Sequence, residues 1–154
     1  MLLDRSRRRT LAVVLLSVVA PACSHKQSAE IGKPDDPAVI EASKSVEQFH
    51  ALVNDGRYRE VCQIAEPGAF AAVTNLSCAE FLARLHEKLG AVKVIKPSPK
   101  PTLVERSSGT MVRVALNYYT WFVKGPAGEH FEWRIQGKKV SLTNYDVNAD
   151  ALAP

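Results

Sequence analysis

Hydrophobic positions along the chain change their period once, near Gly90, and that change separates helices from strands. Before it, Val39, Ala42, Val46, Phe49 and Val53 step by three or four residues, one face of a helix. Asp36-Pro37 opens this helix as cap and first helical residue, and Asp55-Gly56 closes it. Tyr58, Val61, Cys62 and Ala65 share one side of a short second helix, which Glu66-Pro67-Gly68 breaks; Ala69 to Val73 form one further turn. Ser77 and Glu80 have the spacing of a capping box, and Leu76 can staple onto Phe81. The third helix they begin buries Cys78, Phe81, Leu82, Leu85 and Leu89 and ends at Gly90. From there the period is two. Ala91 to Lys96 is a strand, and the three prolines at 97, 99 and 101 bar a central strand next to it. Leu103 to Arg106 can pair at an edge. Thr110 to Lys124 form a long strand with Val112, Val114, Leu116, Tyr118, Thr120 and Phe122 on one face. Gly125-Pro-Ala-Gly128 is read as the turn that follows. Phe131, Trp133 and Ile135 then alternate with His130, Glu132 and Arg134. Gln136-Gly137-Lys138 makes a hairpin, and the apolar phase slips by one between Leu142 and Tyr145, predicting a bulge near Thr143-Asn144. Helices followed by an antiparallel meander predict an α+β fold, with helices packed on a curved sheet, over a single domain of residues 38–154.

Residues 1–22 have a different organisation. Arg5, Arg7, Arg8 and Arg9 precede a ten-residue apolar region, Leu11 to Ala20, broken only by Ser17, and an Ala20-Pro21-Ala22 cleavage site, the layout of a signal peptide. Ten helical residues rise only ~15 Å, half of a hydrocarbon core. Cys23 follows, so the leader resembles a bacterial lipoprotein signal in which Cys23 is acylated; plain export with a free Cys23 is the alternative. Ser24 after the cysteine points in that pattern to the outer membrane. Ser6-Arg-Arg-Arg-Thr-Leu11 also resembles a twin-arginine signal, without its Phe and later Lys. Residues 24–37 are polar, hold Gly32, Pro34 and Pro37, and read as a flexible tether, making 23–37 an anchor segment. The formal charge of +4 resides mostly in the leader: without residues 1–22 it is +1, which argues against a nucleic-acid partner. In an oxidising compartment Cys62 and Cys78 pair as a disulfide; free thiols, or a metal site with His50 and His86, are the competing readings, the latter without metal-ligand spacing.

Phe49-His-Ala-Leu-Val-Asn-Asp-Gly-Arg-Tyr58, Lys88-Leu-Gly-Ala-Val92, Phe131-Glu-Trp-Arg-Ile-Gln-Gly-Lys138 and Leu142-Thr-Asn-Tyr145 resemble small exported bacterial proteins of unknown function with a nuclear-transport-factor-2-like fold. The resemblance covers residues 38–152 and implies a cone in which a curved sheet wraps helices. Ketosteroid isomerase and scytalone dehydratase use the same architecture. In the resembling families tryptophans often stand where Cys62 and Cys78 are, which fits a contacting pair. The resemblance brings no catalytic residue.

Candidate chemistry is sparse. Tyr58, Tyr118 and Trp133 are the residues that could line a pocket, and His50 and His86 read as boundary residues. No carboxylate is expected on an inward strand face, since Glu132 points outward, so an acid–base pair cannot be assembled. No phosphate loop, nucleophile elbow, zinc helix or dinucleotide fingerprint occurs, and no metal or cofactor is expected. Tyr119 and Trp121 fall on the outward face of the long strand. They form a partner or dimer surface, or they are covered by residues 97–106 or the C-terminal segment. The expected function is that of an exported, lipid-anchored envelope protein, a non-catalytic binding or interaction domain; the alternative is a small cone-fold enzyme of the isomerase or dehydratase type.

Overall fold

The computed structural model describes residues 29–107 and 109–148. The expected leader, Cys23, residues 24–28 of the expected tether and the C-terminal segment 149–154 lie outside the described residues. Three helices, α1 (Pro37–Asn54), α2 (Tyr58–Ile64) and α3 (Cys78–Leu89), accompany six strands. The strands are β1 (Ala29–Ile31), β2 (Val92–Pro97), β3 (Leu103–Arg106), β4 (Met111–Phe122), β5 (Gly125–Gln136) and β6 (Lys139–Asn148). The fold is α+β, with a curved, unclosed antiparallel sheet in the order β1-β3-β4-β5-β6; β2 and β3 share one edge of β4. β2 takes Tyr118 to Phe122 and β3 takes Val112 to Ala115.

The helix ends are set by local chemistry. Asp36 caps α1, its Oδ1 accepting from the Ala38 N–H at 2.9 Å. Glu80 accepts from the backbone N–H of Ser77 at 3.2 Å and from its hydroxyl at 2.6 Å, pairing the two residues of the expected capping box at the start of α3. Gly90 ends α3 with φ +78°, and a Cβ there would meet Val123 Cβ at 2.8 Å, so both backbone shape and space require glycine. That close approach lets the Val123 and Lys124 N–H groups donate to Ala91 and Leu89 carbonyls at 2.9 Å each, docking α3 on the β4–β5 hairpin. Cys62 of α2 and Cys78 of α3 form a disulfide, Cα–Cα 5.9 Å, which displaces the metal-site reading of the two thiols. Segment 65–69 runs along β6, with the Glu66 N–H on the Leu142 carbonyl and the Tyr145 N–H on the Ala69 carbonyl, both 2.8 Å.

Alternation decides the core. Val114, Leu116, Tyr118, Thr120 and Phe122 of β4 and Phe131 and Trp133 of β5 point to the helix-covered face, where Phe49, Leu82, Leu85 and Tyr145 fill the space between them. The expected bulge is present: Glu132 pairs Asn144 and Trp133 pairs Leu142, leaving Thr143 extra on β6, its hydroxyl donating to the Glu132 carbonyl at 3.0 Å.

Two expectations are corrected. The turn after β4 is not at 125–128 but at Val123-Lys124, and Gly125 to Gly128 belong to β5, paired with Phe122 back to Tyr119. Among the described residues β5 has no β6 partner beyond the Gly128–Asn148 pair, which is where a proline at 126 is tolerated. The second correction concerns residues 29–31. They pair in register with Glu105 to Leu103 of β3 instead of remaining in the tether. Gly32 makes this approach fit, since a Cβ there would lie 2.6 Å from Val104 Cγ2. Arg106 then clasps the segment by pairing with Glu30 and, at 2.5 Å, with Asp36.

Candidate functional site

The most concentrated polar chemistry lies inside the molecule. Glu129 of β5 is in phase with Phe131 and Trp133, and its side chain is fully buried (0% exposed). One of its oxygens receives His50 Nε2 of α1 at 2.9 Å and the Thr120 hydroxyl of β4; the other accepts the Tyr145 hydroxyl of β6 at 2.6 Å. A carboxylate only accepts, and three donors match it, with His50 as the Nε2–H tautomer. The His50 ring stands edge-on to Phe49 and Phe131, both 5.6 Å away, and its Nδ1 has no hydrogen-bond partner among the described residues. Burial, reinforced by Glu129, pushes the Tyr145 hydroxyl pKa well above its ordinary value, which keeps it a donor. An inward carboxylate therefore exists, contrary to expectation, and His50 is buried beside it rather than at a boundary. The misplaced turn concealed Glu129. The available signals were its two-residue phase with Phe131 and a polar Thr120 on the inward face of β4.

Carboxylate, imidazole and phenol are the parts of an acid–base site. Here they are packed among Phe49, Phe131 and Tyr145, and no side-chain surface of Glu129 meets solvent. Proton transfer to a substrate requires the substrate within hydrogen-bond reach. In this arrangement the cluster ties one helix to three strands.

The residues expected at a pocket have separate partners. The Tyr58 hydroxyl meets His86 Nδ1 at 2.8 Å, at the helix layer. The Tyr118 hydroxyl donates to Ser43 Oγ at 3.4 Å, and burial raises its pKa. Trp133 is fully buried, stacked 6.3 Å from Phe131, and its Nε1 has no hydrogen-bond partner among the described residues.

The outer face of the sheet is different. Tyr119 is 50% and Trp121 40% exposed, beside exposed Val94 and Val123. Lys96 Nζ lies 5.5 Å from the Trp121 ring centroid. Residues 97–106, the suspected cover, pair along the edge of β4 and leave both rings open. A cleft of about 340 Å³ adjoins Tyr119, bordered by Ser98, Lys100, Asn117, Gly128, His130, Asp146 and Asn148. Among the described residues no group of three or more His, Cys, Asp or Glu side chains could hold a metal ion. No protein-family model and no curated protein matches this chain.

Proposed function

We propose that this chain is an exported, lipid-anchored domain of a bacterial cell envelope that binds a partner on the outer face of its sheet. The observation that carries this reading is the pair of exposed rings, Tyr119 and Trp121, on a face that no described residue covers. The helix-covered face is filled by Phe49, Leu85, Phe131 and Trp133, which leaves the outer face as the working one. The leader of residues 1–22, Cys23 behind it and the Cys62–Cys78 bridge support export, and the α+β body supports a nuclear-transport-factor-2-like cone.

Hydroxyl-radical footprinting, read by mass spectrometry on the chain in isolated membranes and on the detergent-purified chain, tests this. Trp121 oxidation is expected to be several-fold lower in membranes, on a chain that carries acyl groups on Cys23. Equal oxidation in both settings overturns the partner face, and full-length chain retaining Met1 in the cytosol overturns export. The second reading, an isomerase- or dehydratase-type enzyme, is favoured by the Glu129–His50–Tyr145 set and requires an opening that brings substrate to Glu129.

A further inference from the structure

The cleft beside Tyr119 has the chemistry of a sugar subsite. Strand register sets its floor as two rows across β4, β5 and β6: Asn117–His130–Asp146, and next to it Tyr119–Gly128–Asn148. Gly128 is the central position of the second row. It does not have the positive φ that demands glycine, and a Cβ there would meet no described residue within 4 Å. A glycine inside a strand weakens it, and here neither backbone shape nor crowding compensates. The missing side chain leaves a notch open between the half-exposed Tyr119 ring and Asn148, with Ser98 and Lys100 bordering the cleft.

The polar groups around the notch are of mixed type. His130 Nδ1 pairs with Asn117 Oδ1 at 2.9 Å and its Nε2 faces Glu132 Oε1 at 3.2 Å, while the Asn117 Nδ2 donors have no hydrogen-bond partner among the described residues. The carboxylate of Asp146 and the amide of Asn148 are exposed and have no hydrogen-bond partner among the described residues. Lys100 and Asp146 oppose each other in charge, so the cleft favours neither an anion nor a cation. A ligand matching it is neutral, has hydroxyls that both donate and accept, and presents a flat C–H face to an aromatic ring. A pyranose ring has all three properties.

We propose that the cleft seats one ring of a neutral oligosaccharide, stacked on Tyr119 over Gly128 and hydrogen-bonded by Asn117, Asp146 and Asn148. This deepens the partner-face reading and rests on it, since the ring lies on the same outer face as Trp121.

Amide chemical shifts of the isotope-labelled chain, titrated with the tetramer of N-acetylglucosamine and separately with maltotetraose, test it. At least one sugar is expected to give saturable shifts centred on Asn117, Gly128 and Asn148. Tyr119→Ala and Gly128→Val should each weaken that binding at least tenfold. Gly128→Val fills the notch where space is open and suits a strand, so its fold survives and its unaltered remaining spectrum reports that. Absence of saturable shifts with both sugars, or binding that persists in Gly128→Val, overturns the subsite. If Trp121 is nonetheless shielded in membranes, the partner face stands and its occupant is a protein. If neither sugar binds and Trp121 is unshielded, both readings fail together.

Discussion

Glu129 does at residue scale what no apolar side chain could do at that position. It receives donors from α1, β4 and β6 and so fixes the relative placement of four elements, its own included. Removing one partner of a buried charged network leaves the others unpaired, at about 3–5 kcal/mol. Glu129→Ala is expected to lower unfolding free energy by that amount in urea titrations. His50→Ala combined with Glu129→Ala should cost clearly less than the two singles added, because the second removal orphans nothing further. Strict additivity would sink the coupling. This cluster was half legible beforehand. His50 beside the Val46–Phe49–Val53 stripe and Thr120 on an inward strand face were both visible, but their meeting depends on tertiary register, and Glu129 was hidden by a turn read four residues wide.

At the scale of elements, Asp36 serves two of them: it caps α1 and pairs with Arg106 on β3. The Arg106 hydrogen bond first, and the Ala38 N–H second, hold its carboxyl below the usual carboxylate range. A pKa depressed in the native state stabilises fully above the unfolded value of about 4 and is lost as pH falls through the native one. Asp36→Ala should therefore lower stability by about 1 kcal/mol near neutral pH, a difference that shrinks on acidification below pH ~4. Urea midpoints for both chains across that range decide it; a gap that stays constant would show that the carboxylate charge plays no part. Caps, the bulge at Thr143 and the helix-to-strand switch at Gly90 were all readable because short-range chemistry sets them. The Val123-Lys124 turn was not, since Gly and Pro residues two positions on are stronger local turn signals than the pair that actually turns.

For the molecule as a whole, the Cys62–Cys78 bridge closes a segment of 16 residues that carries the crossing from α2 to α3. Loop closure in the unfolded chain should make it worth ~3 kcal/mol, and Cys62→Ser with Cys78→Ser should lower global unfolding free energy by about that much. A double variant as stable as the parent would show that packing alone holds the two helices together. The α+β class was plain from periodicity, whereas the sheet order, with β2 and β3 sharing one edge of β4, comes from pairings between distant residues that no local pattern encodes. β1 carries a consequence for reach. Because Ala29 is already paired on β3, an acyl group on Cys23 would be no more than six peptide links from the sheet, at most about 20 Å pulled straight. A body leashed that short would sweep only the layer next to the bilayer, and whatever it grips would have to come to the lipid surface to be held.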